Sequence, residues 1–238
     1  MNKNTFNCPN CHLENPFYNF KCYNCNFVLR DRIPNIDLGE IISKLIESPK
    51  EAFNKIILSE KKNYLTLLIF FISLRFLIIS RFISVPYSGD KIHFDLLTSI
   101  LYFIITTGLL ILIFSFILKF SFKVFKLNSR LIDIYSTVTY SFIPQVFAVI
   151  FIFPVEVTVY GELLFSNNPY PYSVKEGVFY VLVGFEILTV IWSVFLMIKA
   201  ISSFKLSIIK SIVITLILNS LTVLYLTISS KIIFQNEL

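Results

Sequence analysis

Four cysteines lie within the first twenty-five residues, and the rest of the 238-residue chain has none. They read Cys8-Pro9-Asn10-Cys11, then ten residues, then Cys22-Tyr23-Asn24-Cys25. Two C-x-x-C pairs at this spacing predict one tetrahedral zinc ion held by the thiolates of Cys8, Cys11, Cys22 and Cys25. Each pair forms a tight knuckle that presents two sulfurs to the same ion. Unoxidised thiolates require a reducing compartment for this end of the chain. With four sulfurs available, His12 reads as a surface residue and not as a further ligand. Residues 6–29 are too few to build a core. Metal binding must therefore supply the folding energy, about 10–16 kcal/mol in finger peptides. Phe6, Phe17, Phe20 and Phe27 are expected to pack around the site.

A second group of residues matters because of where it lies. Arg75, Glu186 and Asn219 each fall near the middle of a long apolar run. An ionisable group at mid-membrane costs about 2.5–3.5 kcal/mol on insertion scales, so each needs a partner or a task. Glu186 shares a helical stripe with Thr189 and Ser193, and Asn219 shares one with Ser211, Thr215 and Thr222. One acid and one base at similar depth read first as a structural pair, Arg75 with Glu186, with Asn219 tying helices together. The alternative is an ion or proton path. A path more often shows several acids or broken Gly/Pro helices. Enzyme motifs are lacking: there is no H-E-x-x-H, no G-x-S-x-G and no phosphate loop. His93 and Asp95 share a connection but do not make a site. The expectation is a protein that is not an enzyme.

These residues are positioned by an all-α membrane protein. The chain is 55% hydrophobic and 15% charged, with mean hydropathy +0.74. Soluble domains have about 45–50% apolar and about 25% charged residues. A helix needs about 20 apolar residues to cross the hydrocarbon core. Five runs qualify: 64–85, 96–119, 131–153, 178–200 and 207–229. Pro144 should kink the third. The connection from Pro154 to Gly177 reads as an aromatic, mildly acidic outer cap. Lys55, Lys61, Lys62, Lys119, Lys123, Lys126, Arg130, Lys199, Lys205 and Lys210 fall on one side of these spans, ten in all, against Arg81, Lys91, Lys175 and Lys231 on the other. The positive-inside rule then puts the N-terminus in the cytoplasm and the C-terminus outside, with the cell membrane as the expected location. The net charge of +6 is spread along span ends and forms no dense basic face, which argues against nucleic acid.

Three parts follow: residues 1–35 as metal-binding head and hinge, 36–62 as an amphipathic cytoplasmic linker, and 63–238 as the five-span domain. In the linker, Leu38, Ile41, Ile42 and Leu45 recur at helical spacing. Ser48-Pro49-Lys50-Glu51 reads as a capping box opening a second helix whose apolar face is Ala52, Phe53, Ile56 and Ile57. That face rests either on the inner leaflet or on the protein itself.

Two resemblances add to this. The head resembles the short zinc-ribbon family: C-P-x-C, Asn15-Pro16 as a turn, an aromatic before the second pair, then Phe27-Val28-Leu29. That family usually has glycine at positive φ after each pair, where this chain has His12 and Asn26. Residues 48–228 resemble the Yip domain, the Rab-GTPase-interacting five-span family. The likeness rests on Ser48-Pro49-Lys50-Glu51-Ala52-Phe53, on Asp133 and Tyr135 followed by Thr139-Tyr140-Ser141-Phe142-Ile143-Pro144, and on Trp192 and Lys199-Ala200. A zinc ribbon ahead of such a domain looks like the prokaryotic branch. The resemblance implies a membrane scaffold or adaptor in membrane organisation or trafficking-like recruitment, its partners being the lipid bilayer and a soluble cytoplasmic protein. The other expectation is a small transporter or channel using Arg75 and Glu186.

Overall fold

The structure is a computed structural model and describes residues 4–88, 95–166 and 168–234; Lys91 and His93 lie outside them. Two three-residue strands open the chain. Strand β1 (Thr5–Asn7) pairs antiparallel with β2 (Glu14–Pro16), with Phe6 opposite Asn15. Asn15-Pro16 is thus the end of a strand, and not the turn its sequence suggests. Helices α1 (Leu38–Glu47) and α2 (Pro49–Leu58) follow. Then come α3 (Leu65–Ser88), α4 (Leu96–Val124) and α5 (Leu131–Ser141). The chain continues through α6 (Ile143–Phe147), a π-helical turn (Ala148–Ile152), α7 (Phe153–Tyr160) and a 3₁₀ turn (Gly161–Phe165). Helices α8 (Pro171–Val174), α9 (Glu176–Ser202) and α10 (Ile208–Phe234) complete it.

Among the described residues, five segments are long and apolar enough to cross a membrane: Leu65–Pro86, Leu96–Val124, Ile143–Phe165, Glu176–Ser202 and Ile208–Phe234. They leave large apolar side chains bare, among them Ile105, Phe120 and Ile209 at 62%, 71% and 72% exposure. Such a surface is untenable in water and normal against lipid.

The third span differs from the expected 131–153. The run up to Ser141 buries Asp133, Ser136, Thr137, Thr139 and Ser141, so it is packed in protein and too polar to be a span. The apolar crossing starts at Ile143. Pro144 has no N–H to donate, and the helix breaks between Ser141 and Ile143 as anticipated. The segment expected as an outer cap begins as helix α7, which brings Glu156 into the span.

The chain divides into two compact units, and the division cuts through the long helices. The first comprises Met1–Leu65, Ile111–Ser141 and Phe195–Thr215. The second comprises Thr66–Leu110, Phe142–Val194 and Leu216–Leu238.

In the first unit, α2 packs on α1 and α5. Ala52, Phe53, Ile56 and Ile57 are fully buried, so of the two readings of this face, packing on the protein itself holds. Asp37 caps α1 by accepting from the Glu40 N–H at 3.0 Å. Ser48 makes no such bond at the start of α2; its N–H bonds to Lys44 O and its hydroxyl donates to the Glu51 carboxylate at 3.3 Å, so neither backbone bond of the expected capping box forms. Below α2 lies a buried carboxylate, Asp133. It takes Lys62 at 2.9 Å and a two-pronged Arg130 at 2.7 and 3.1 Å. Lys62 Nζ also donates to Ser59 O at 2.9 Å and Ile57 O at 3.1 Å, carbonyls at the buried C-terminal end of α2. Burial pushes the Lys62 ammonium below its usual pKa, and the Asp133 charge opposes this.

The head contacts this cluster. The Arg130 guanidinium lies 4.8 Å over the Tyr18 ring, and Arg30 donates to Tyr18 O and Leu58 O, both at 2.9 Å. Helix α4 ends in a Schellman turn, with Lys126 at φ 56° and Leu127 N–H bonded to Phe122 O at 2.8 Å. That turn offers the Asn128 backbone to the buried Asn4 amide, which accepts its N–H and donates to its carbonyl, each at 2.7 Å. Phe17 stands edge-on to Phe204, which stacks at 4.8 Å on Phe122. Residues 30–37, expected as a hinge, are held as well: Arg32 pairs with Glu60, Ile33 O and Pro34 O accept from Glu60 and Lys61 N–H, and Ile36 is buried.

Removing the Asp133 charge leaves two cations without their counter-ion. Asp133→Asn is expected to cost about 3–5 kcal/mol. Thermal unfolding followed by circular dichroism in detergent would show a lowered Tm; an unchanged Tm would remove Asp133 from this role.

Candidate metal centre and intramembrane charge cluster

The two knuckles are built alike. Cys8 N–H bonds to Leu13 O and Cys22 N–H to Phe27 O, both at 2.9 Å. His12 N–H bonds to Cys8 O at 2.9 Å and Asn26 N–H to Cys22 O at 3.1 Å. The chain must turn back sharply after each pair, and it does so at His12 and Asn26, with φ 57° and 56°. These are the two positions where the ribbon family usually has glycine. Asn accepts this conformation readily and His less so, but the repeated hydrogen bonds hold both.

The four sulfurs lie within 4.8 Å of one another. Cys8 and Cys25 are 3.5 Å apart and Cys11 and Cys22 are 3.6 Å apart, and all four are free thiols. A tetrahedral ion with metal–sulfur bonds of about 2.3 Å requires sulfur edges of about 3.8 Å. A disulfide requires about 2.05 Å. The set therefore fits a metal ion. Backbone N–H groups of Cys25 and Asn24 push the Cys22 thiol down to about 6, although burial opposes them. The Phe27 N–H lowers Cys25 in the same way. Cys11 rises to about 11: its Leu13 backbone contact works against this, but burial and the sulfurs of Cys25 and Cys22 prevail. Four sulfurs so close cannot all ionise without a cation among them. Fully buried Asn15 is a supporting residue that its sequence position hid. Its Nδ2 donates to Leu13 O at 2.9 Å and to Cys22 Sγ at 3.5 Å, and its Oδ1 accepts from Tyr23 N–H. Of the four phenylalanines expected around the site, Phe27 is 44% exposed and Phe17 turns toward Phe204.

In the second unit, Arg75 on α3 and Glu186 on α9 form the expected ion pair directly. Arg75 is 3% exposed. Its Nε donates to Gln145 Oε1 at 3.1 Å, and Gln145 Nε2 donates to Ser193 Oγ at 3.2 Å. Gln145 thus bridges α3 and α9 beside the charge pair, a role that the sequence suggested for Asn219. Asn219 is half-buried on α10. Three hydroxyls of the two stripes bond within their own helices, Thr189 to Glu186 O, Ser211 to Ser207 O and Thr222 to Leu218 O, whereas Glu186 and Ser193 reach other helices. Sequence reasoning missed Gln145 and Glu156. Gln145 directly follows the helix-breaking Pro144, and Glu156 had been assigned to a loop. A cavity of about 380 Å³ opens beside the pair, reaching Arg75, Glu156 and Glu186 among mostly apolar walls.

The short motif before this site has a structural basis. Fully buried Tyr140 donates its hydroxyl to Asn63 O at 2.9 Å, tying α5 to the start of α3. Asp133 is the carboxylate that fixes Lys62 and Arg130, and Pro144 sets the break. The sequence matches the Yip1 domain over residues 43–230. The chain belongs to the Yip1 domain family. No curated protein and no solved structure matches it. The Yip1 domain match begins inside α1 and ends inside α10, so α2, the first four spans, most of the fifth, Asp133 and Arg75 lie within it, and the four cysteines lie ahead of it.

Breaking the Arg75–Glu186 pair from one side should cost more than removing it whole. Arg75→Leu and Glu186→Leu each strand a buried charge, at about 3–5 kcal/mol. The double change should cost less than either single change, which requires a coupling of about 3 kcal/mol or more. Thermal unfolding of the four proteins measures this coupling, and strict additivity would show that the pair contributes nothing as a pair.

Proposed function

We propose that this protein is a non-enzymatic membrane scaffold of prokaryotic type, which recruits a soluble cytoplasmic partner through a zinc ribbon seated on its Yip1 domain. The observation that carries this reading is the outer surface of the ribbon. Tyr23, Phe27 and Val28, around the second knuckle, are 66%, 44% and 52% exposed. They lie outside all five spans, so lipid does not account for them. A cluster of aromatic and branched side chains on a small domain is the kind of surface that binds protein. The contacts of Asn4, Phe17 and Tyr18 give that surface a fixed seat, as a docking platform requires. The lysine and arginine distribution supports a cytoplasmic position.

Affinity capture from membranes tests the reading. Tyr23→Ser with Val28→Ser should lose a soluble partner that the unaltered protein retains, with metal content unchanged. Retention of every partner would end the recruitment role. Epitope tags test the orientation: in intact cells, antibody should reach a tag at Asn168 and not one at the N-terminus.

Zinc is the ion this donor set suits, because four thiolates in a tetrahedron match its ligand preference. One zinc per chain is expected by elemental analysis, and none in a protein with Cys8 and Cys22 changed to serine. Protons compete with the metal for thiolates, so affinity falls as pH falls, and zinc should be released on acidification below about pH 6. Release that is independent of pH would rule out thiolate ligation.

A second reading, a small transporter using Arg75 and Glu186, draws support from the cavity that reaches both. Flux into proteoliposomes that disappears in Glu186→Gln would establish it.

A further inference from the structure

The cavity beside Arg75 has an unbalanced polar lining. Its walls are mostly apolar, with Phe82 and Leu182 among them, and three charged side chains enter it: Arg75, Glu156 and Glu186. Arg75 directs Nη2 to one oxygen of Glu186 and Nε to Gln145. Glu186 Oε1 and Glu156 Oε2 are buried and have no hydrogen-bond partner among the described residues. Glu156 is 6% exposed, and the Glu186 side chain is 19% exposed. Tyr160, the remaining polar wall, has its hydroxyl engaged with Lys175 O at 3.1 Å. Two carboxylates thus face one guanidinium. A buried carboxylate oxygen without a donor is costly, and an unbalanced buried charge more so.

We propose that this cavity is a binding site for a monovalent amphipathic amine, with its primary ammonium between Glu156 and Glu186 and its apolar tail against Phe82 and Leu182. The ammonium supplies what the lining lacks: one positive charge and N–H donors for two separate oxygens. A water molecule could donate to the oxygens but would leave the charge uncompensated. A neutral alcohol has the same shortcoming. A quaternary ammonium carries the charge but has no N–H. The tail matches the apolar walls, and a volume of about 380 Å³ accommodates a ligand larger than a lone ammonium ion. The site is independent of the ribbon surface, and its occupancy does not require transport.

The test is equilibrium binding of radiolabelled dodecylamine to the full-length protein in phosphatidylcholine nanodiscs, a lipid that itself has no N–H headgroup. Saturable binding of one molecule per chain is expected, above the partitioning into protein-free discs. Dodecanol and dodecyltrimethylammonium should compete at least about tenfold more weakly, the loss that follows from one missing charged hydrogen bond. Glu156→Gln keeps the shape of the cavity and removes one charge, and should weaken dodecylamine by about tenfold or more. Leu182→Trp fills the cavity without touching the charges, and should abolish binding in a protein that still unfolds cooperatively. Adding phosphatidylethanolamine to the discs identifies the source: competition marks a lipid headgroup as the amine, and no competition marks a free amphiphile. Partitioning equal to that of empty discs, equal binding of dodecanol, or full binding by Glu156→Gln would each overturn the proposal.

Discussion

A single buried carboxylate organises the first of the two compact units. Asp133 has no exposure to solvent, and it holds Lys62 and Arg130 together. Neither cation stops there. Lys62 continues to the carbonyls at the end of α2, and Arg130 continues to Ile57 O and to the face of Tyr18. The first turn of α5, the end of α2, the residues leading into α3 and the ribbon therefore meet at one charge. A buried carboxylate is stable only when its lone pairs are filled, so the helices that supply the donors are constrained in register. The hydrophobic face of α2 packs to one side of this charge, through Phe53 and Ile56.

The N-terminal head draws on two sources of order. Its sulfurs satisfy the geometry of an ion, and its outer contacts are made with the membrane domain. Asn4 imitates a strand edge, giving and taking one hydrogen bond with the Asn128 backbone. Phe17 covers Phe204, which would otherwise be an aromatic ring open to water at the turn between the last two spans. A segment of this size has no core, and it settles against a surface that a larger domain already supplies. This explains why residues 30–37, which contain Pro34 and few large apolar side chains, are nevertheless fixed.

The third span is where the Yip1 domain departs from regular helix. Pro144 ends one helix, a π-helical turn follows, and Pro154 opens the next. Within the π-helical turn Ala148 is buried, while Ile150 and Phe151 are 43% and 64% exposed. Gln145 emerges at the first break and Glu156 after the second. Both side chains are buried, and Gln145 reaches the Arg75 side chain directly. The breaks change which face of the segment points to protein, and they bring polar groups to the guanidinium from a stretch that otherwise reads as lipid-facing.

The sequence alone determined the sulfur set, the number of spans, the amphipathic faces of α1 and α2, the helix break at Pro144 and the pairing of Arg75 with Glu186. Each of these follows from local chemistry: ligand spacing, length against bilayer thickness, helical period, a missing N–H, or the cost of an unpaired charge in lipid. The family resemblance had the same origin, in short motifs read along the chain. Tertiary structure alone decided the rest. Asp133 looked like an ordinary acid near a span end, because its partner Lys62 lies some seventy residues away. Glu156 was hidden because the third span begins and ends later than its hydropathy suggested, its expected first turns being polar and packed in protein; Gln145 lay inside the expected span, and only the meeting of helices showed that it faces Arg75. The seat of the ribbon depends on Asn4, Phe17 and Tyr18 meeting residues beyond 120, and no local pattern encodes such a meeting. Periodicity and ligand spacing act between neighbours in sequence, whereas the pairing of buried charges is settled by which helices come together.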